Sequence, residues 1–241
     1  MKLSILMPVY NEQATLQKAV DRVLAIRFQE GVEIEFVIVN DGSVDRTKEI
    51  LDALEDPRIR VFHQRVNQGK GAAISRAVQE ATGDYVIICD ADEEYRPSEI
   101  PTLLQPVLDG EAQLVYGSRT FGSHTSFSYW YVIGNKGVNL VTNILFNAYV
   151  SDVETCFKLM PLELYRSLGI KEKGFGMEAE VTAKLLARGH RPYEVPISYK
   201  ARTREEGKKI TVKDGFEALW ILARIRLREG SRTRPPQSSA A

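Results

Sequence analysis

The sequence predicts an α/β domain with a mostly parallel central sheet flanked by helices. Over the first ninety residues, apolar runs of strand length alternate with stretches of helical periodicity, the pattern of successive β-α-β units. Polar clusters sit at the ends of three of those strand runs, at 10–12, 40–43 and 90–92. In open α/β sheets the carboxyl ends of the strands form the ligand crevice. A chain of 241 residues, 44% apolar and 27% charged, is also long enough to bury a full core.

Residues 3–9, LSILMPV, read as a buried strand. In the following helix Leu16, Ala19, Val20, Val23 and Leu24 recur at helical spacing. EIEFVIVND is a second strand and DRTKEILDAL a second helix. RIRVFHQ, KGAAISRAVQEA and DYVIICD give a third strand, a third helix and a fourth strand. The second half is less regular. AQLVYGSR reads as a strand ending at Arg119, and 127–149 as a helix rich in large apolar residues. ETCFKLM is expected to be a strand, and MEAEVTAKLLARG a helix stopped by Gly189. RPYEVPISY is a further strand. Asp214 and Glu217 suggest a capping box for a last helix, FEALWILARIRLRE, and 230–241 is expected to be disordered.

Bulk properties narrow the choice of partners. Net charge is zero, so nothing points to nucleic acid, yet from Lys200 to Arg234 eleven basic residues face five acidic ones. That excess suits phosphate groups or an anionic membrane surface. Cys89 and Cys156 are too few for a disulfide framework or a zinc site of the usual spacing, and both lie in apolar runs. No leader is evident, and no uninterrupted apolar stretch is long enough to span a membrane.

The densest chemistry lies in VIICDADEEYRP, where Asp90, Asp92, Glu93 and Glu94 crowd together behind an apolar run. In extended backbone, residues i and i+2 point the same way, so Asp90 and Asp92 can aim at one point beyond the strand. Oxygen donors in that arrangement suit Mg²⁺ or Mn²⁺. A second reading makes Asp92 or Glu93 a helix cap with solvated neighbours. In VNDGSVDRT, Asp41 ends a strand and can accept hydrogen bonds from a base or ribose, while Gly42, Ser43 and Asp45 also fit a plain turn into a helix. VNQGKGAAIS is glycine-rich and opens a helix, so it can approach a phosphate, with Lys70 either a phosphate contact or a solvated helix-start lysine.

In order along the chain, MPVYNE, VNDGSVDRT, NQGKGAAI, GDYVIICDAD, YGSR, SDVETCFKLM, GFGMEAEVTAKLLARG and EVPISYKARTREEGKK resemble the family 2 glycosyltransferases. Within that family they are most similar to the polyprenyl-phosphate sugar synthases of the dolichyl-phosphate mannosyltransferase group. The resemblance runs from about Lys2 to Leu227. It implies a GT-A fold over 1–229, with a nucleotide-sugar-binding half (1–119) and an acceptor-binding half (120–229) that ends in an amphipathic helix. It also implies a GDP-mannose or UDP-glucose type donor, a divalent cation and a polyprenyl or dolichyl phosphate acceptor. Pro8, Tyr10, Asn11, Glu12 and Asp41 fall where the family grips the nucleoside. Asp90, Ala91 and Asp92 fall on its metal and diphosphate motif, and Glu94 stands where close relatives carry a Gln that also reaches the metal. Arg119 matches an arginine near the donor and acceptor phosphates, and Arg202 and Lys208 match a loop that closes over the nucleotide phosphates.

On this reading Asp92, Arg119, Arg202 and Lys208 carry the reaction. A lipid phosphate is already anionic, so transfer to it needs cations rather than a strong base. None of His63, His124 and His190 sits in a motif, which agrees. Transfer to a sugar hydroxyl instead needs a base, for which Asp152, Glu178 and Glu180 are the candidates; the last two are equally read as a solvated helix face. A non-catalytic nucleotide-sugar-binding module is the remote alternative. The last helix reads either as an interfacial membrane anchor or as a cover for the core. The expected location is cytoplasmic, peripheral on the membrane, with the oligomeric state left open.

Overall fold

The structure, a computed structural model, describes residues 1–123, 129–201 and 212–229. Its sheet has seven strands: β1 (Lys2–Val9), β2 (Glu33–Asn40), β3 (Ile59–His63), β4 (Tyr85–Ile88), β5 (Val115–Ser118), β6 (Lys158–Pro161) and β7 (Tyr193–Pro196). Their order is β3-β2-β1-β4-β6-β5-β7, and only β6 runs antiparallel to its neighbours. Among the described residues, eight α-helices accompany it: α1 (Leu16–Leu24), α2 (Thr47–Asp52), α3 (Lys70–Glu80), α4 (Ile100–Leu108), α5 (Tyr129–Phe146), α6 (Leu162–Leu168), α7 (Met177–Ala187) and α8 (Val212–Glu229). Strands β1 and β2 are buried nearly throughout, as parallel strands covered on both faces should be. The strand order reverses at β1 and β4, so the loops after these two strands open onto one crevice.

Several elements differ from the sequence reading. The expected strand over 154–160 shrinks to Lys158–Pro161, because 150–157 is a loop whose polar groups serve the cavity described below. Helix α6 follows β6 directly, with Pro161 as its N-cap, where no helix was expected. Helix α8 begins at Val212, which puts Asp214 inside the first turn rather than at the cap. Both cysteines are buried and free, as expected of small hydrophobes.

Beneath the far end of the sheet lies a buried carboxylate, Glu35. It accepts hydrogen bonds from Ser4 Oγ (2.6 Å), Thr82 Oγ1 (2.7 Å) and the Thr82 amide, and pairs with Lys2 (2.9 Å). Burial raises its pKa, but these donors outweigh burial and hold it at about 2. Glu35 thus ties β1, β2 and the approach to β4 together at their amino ends. The unfolded chain protonates this group near 4.5 and the folded chain only near 2. Its contribution is therefore present above pH ~4.5 and lost as pH falls toward 2, about 3 kcal/mol in all. Glu35→Gln should cost about 2–3 kcal/mol at pH 7. It should also flatten the acid limb of stability between those values, measured by urea unfolding across pH.

Candidate active site

A cavity of about 1140 Å³ opens at the carboxyl ends of the strands. Pro8, Tyr10, Glu12, Asp41 and Lys70 line one side, and Asp90, Ala91, Asp92 and Glu94 the floor. Arg119, Asp152 and Glu178 close the far side. Asn11 and Glu180 do not line it, and Arg202 and Lys208 lie outside the described residues. Asn11 instead stitches two loops. Its amide donates to Ser43 Oγ (3.0 Å), and its Oδ1 accepts the Val44 amide (2.9 Å), with Asn11 at φ 54°.

The acidic cluster disperses into separate partnerships. Strand β4 stops at Ile88, so the i, i+2 argument for Asp90 and Asp92 does not apply as made: both sit in the loop beyond it. Asp90 accepts a hydrogen bond from Lys70 Nζ at 2.7 Å. Asp92 Oδ1 accepts the Glu94 amide (3.1 Å), an Asx turn that holds the loop. Glu93, at φ 60°, pairs with Lys18 (2.8 Å) and Arg22 (2.7 Å) of α1. Glu94 accepts the Tyr199 hydroxyl at 2.6 Å, and its carbonyl accepts the Lys200 amide (2.9 Å). The cap reading fails as well: the 3₁₀ turn ahead of α4 starts at Pro97, and its N-cap is Arg96. Among the described residues, no three His, Cys, Asp or Glu side chains stand close enough to hold a metal by themselves. Asp90 and Asp92 nonetheless fit a Mg²⁺-type ion by chemistry, since such ions take one or two carboxylates and complete their shell with water and substrate phosphate.

The glycines of the glycine-rich loop also have a packing role, while Asn67, Gly69 and Lys70 of that loop line the cavity. A Cβ on Gly69 would lie 2.4 Å from the Lys173 carbonyl oxygen, and one on Gly71 would lie 2.2 Å from that of Glu172. These glycines let α3 meet the 172–174 loop backbone to backbone. Asp41, buried to 2% exposure, accepts the Gln68 and Gly69 amides at 2.8 Å each. Burial still raises its pKa against those two bonds.

The three candidate bases are all committed. Asp152 receives Arg119 through Nε and Nη2, both at 2.7 Å, and through the Arg119 amide at 3.0 Å. The same guanidinium stands 4.9 Å from the Tyr199 ring centroid. Glu178 meets Lys158 at 2.6 Å and lies 3.5 Å from Lys70. Glu180 pairs with Lys184 (2.7 Å) and accepts the Lys171 and Glu172 amides. Glu178 and Glu180 are 5% and 2% exposed, so neither belongs to a solvated face. Helix α7 is buried along its whole length, which a helix-period pattern cannot reveal. Lys70 is likewise no solvated helix-start lysine. Burial works against its charge, but Asp90, Cys156 and Glu178 outweigh it and keep it protonated.

Sequence reasoning passed over Glu154, which also lines the cavity. Burial pushes its carboxyl up to about 7, with Lys158 opposing the shift and Glu178 adding to it. Its only signal in the sequence was a carboxylate next to an apolar run. Between pH ~4.5 and ~7 the unfolded chain gives up this proton while the folded chain keeps it, so stability falls as pH rises through that window. Glu154→Gln should therefore gain up to ~3 kcal/mol over the parent on going from pH 4.5 to 7.5 in denaturant titrations; a pH-independent difference would contradict the assignment.

Residues 4–169 match the sequence profile described as "Glycosyl transferase family 2". The chain is 28% identical over 235 residues to the dolichol-phosphate mannosyltransferase of Pyrococcus furiosus, covering 95% of this chain and 65% of that protein. It is 39% identical over 111 residues to the undecaprenyl-phosphate 4-deoxy-4-formamido-L-arabinose transferase of Pectobacterium carotovorum, covering 45% of this chain and 34% of the relative. The chain thus spans about two thirds or less of the length of these relatives. Among solved structures, glucosyl-3-phosphoglycerate synthase of Mycobacterium tuberculosis, crystallised with Mn²⁺, UDP and glucosyl-3-phosphoglycerate, superposes with a TM-score of 0.68 at 21% identity. That match covers 98% of this chain and 81% of the synthase. S. aureus TarS with UDP-GlcNAc gives a TM-score of 0.64 at 14% identity, over 93% and 66% of the two chains. The architecture is the GT-A fold, and this chain belongs to glycosyl transferase family 2.

Proposed function

We propose that the chain transfers a hexose, with inversion, from a nucleotide-diphosphate sugar to a polyprenyl phosphate held at a membrane surface. The observation that carries this reading is the mixed character of the cavity. Its inner wall is charged, with Lys70, Asp90, Asp92 and Arg119, while its mouth is apolar, with Trp130, Ile133, Leu140, Phe216 and Leu219. An acceptor with a phosphate head and a prenyl tail matches both ends. The names of the two polyprenyl-phosphate relatives support the same acceptor class.

The apolar mouth continues onto a surface. On α5, Trp130, Ile133, Leu140 and Ile144 are exposed and follow helical spacing along one face. On α8, Phe216, Trp220 and Leu227 do the same, while Ala218, Ile221, Leu222 and Ile225 face the core. One side of the last helix thus covers the core, and its exposed apolar side supports the anchor reading. Arg224 turns inward to Glu172 (2.5 Å), leaving Lys213 and Arg228 on the exposed side. Aromatic and aliphatic residues beside basic ones suit a monolayer of anionic headgroups. Among the described residues, no helix is long and apolar enough to cross a bilayer.

In the reaction, an acceptor phosphate oxygen attacks the anomeric carbon from the face opposite the nucleotide. The bond from that carbon to the diphosphate oxygen breaks, and no proton has to be removed. Two anionic groups must approach, so cationic side chains dominate the requirement. Arg119 is oriented by Asp152 and Tyr199 toward the cavity, and Lys70 lies beside the diphosphate platform. A divalent cation on Asp90 and Asp92 supplies charge neutralisation of the leaving diphosphate when bound. The Tyr10, Glu12 and Asp41 side receives the nucleoside; the phosphate contacts that the resemblance gives Arg202 and Lys208 fall outside the described residues. That Asp152, Glu178 and Glu180 are all held in ion pairs favours the phosphate acceptor over a hydroxyl acceptor served by one of them.

Incubated with Mn²⁺, GDP-mannose or UDP-glucose, and polyprenyl phosphate in anionic liposomes, the protein should produce a labelled lipid; none from either donor would reject the acceptor assignment. Asp92→Ala and Arg119→Ala should each lower turnover by about a hundredfold or more. Trp130→Asp combined with Trp220→Asp should reduce liposome turnover about tenfold while sparing a short, water-soluble prenyl phosphate.

A further inference from the structure

We infer that Glu154 contacts the hexose of the donor and helps select it, reading a sugar hydroxyl with a carboxyl oxygen. This inference rests on the donor reading above and concerns a residue that reading does not use. Glu154 lies in the loop between α5 and β6, within the cavity and beside both of its far-side ion pairs. The charged groups around it are Arg119, Asp152, Lys158 and Glu178. These four are already matched, Arg119 with Asp152 at 2.7 Å and Lys158 with Glu178 at 2.6 Å. Among the described residues, Glu154 is the odd carboxyl, with no ion-pair partner of its own.

Its Oε1 is buried and has no hydrogen-bond partner among the described residues. The hydroxyl of the adjoining Thr155 and Oε1 of Glu178 share that condition, although Glu178 Oε1 lies 3.5 Å from Lys70. Buried polar atoms left unpaired are few in folded proteins, and each calls for a physical reason. Those of Glu154 and Glu178 belong to residues that line the cavity, and they indicate a ligand that brings its own donors; Thr155 does not line it. A phosphate brings almost only acceptors, so it could meet Glu154 only with that carboxyl protonated, and it would face the Lys158-paired carboxylate of Glu178. A sugar fits both, because its hydroxyls both donate and accept. The position agrees: Glu154 lines the same cavity as Asp90, Asp92 and Arg119, near enough to Arg119 and Asp152 to feel their charges. A site with polar groups waiting for a hydroxyl also discriminates strongly against a sugar that lacks one there.

The test compares GDP with GDP-mannose and UDP with UDP-glucose by calorimetry in Mn²⁺, for the parent protein, Glu154→Ala and Glu154→Gln. Removing an unpaired buried carboxyl should leave folding intact. For the donor that binds, Glu154→Ala should weaken the sugar nucleotide about tenfold and leave the bare diphosphate within about twofold. Glu154→Gln, which keeps a donor and an acceptor, should fall between. Equal weakening of diphosphate and sugar nucleotide would mark Glu154 as structural and overturn the inference. An unchanged sugar increment in Glu154→Ala would overturn it too, with the donor reading intact. Failure of the parent to bind any of the four ligands would overturn the donor reading and this inference with it.

Discussion

The site depends on one buried ion pair, Lys158 of β6 with Glu178 of α7. The lysine is wholly enclosed, over the ring of Tyr116 and donating to the Thr155 carbonyl. A buried lysine is tolerated only when its charge is matched and its protons are satisfied, and removing one partner of such a pair typically costs 3–5 kcal/mol. This requirement binds α7 to the middle of the sheet and places Glu178 where it also faces Lys70. Lys70 in turn holds Asp90. One chain of alternating charges thus runs from the antiparallel strand, through a helix of the second half, to the loop after β4. The two halves of the domain are joined through their charges as much as through their apolar contacts.

That chain explains how acidic residues coexist at a strand end without a ligand to neutralise them. Each carboxylate has its own outlet: Asp90 to Lys70, Glu93 to α1, Glu94 to Tyr199. The arrangement keeps the loop in one shape before substrate arrives, which is what a preorganised diphosphate platform requires. Lys70 then stands where it can exchange a carboxylate for a phosphate with little movement. The same economy appears at Arg119, where Asp152 fixes the guanidinium and so becomes a positioning residue instead of a base.

The second organising feature is the passage from a charged floor to an apolar rim. Helices α5 and α8 pack against each other and line the same cavity, so the apolar surface and the phosphate-binding wall are continuous. Exposed Trp130 and Trp220 beside basic residues are what the proposed prenyl-phosphate acceptor at a headgroup layer would use.

The sequence alone determined the parallel α/β core, the strand-end position of the polar clusters and the family, because strand runs, helical spacing and ordered motifs are local properties. It also supplied polar lining residues of the cavity: Tyr10, Asp41, Asp90, Asp92 and Arg119 all stand just past strand ends. What only the tertiary structure decided was the pairing. Whether Lys70, Glu178 and Glu180 face water or protein depends on α7 being enclosed on all sides, and its sequence carries the same polar spacing either way. That Gly69 and Gly71 also make room for the 172–174 backbone, far away along the chain, was likewise not legible in the sequence. Glu154 stayed invisible for the same reason: a carboxyl left without a partner is defined by what long-range packing fails to bring to it, and no local pattern records that.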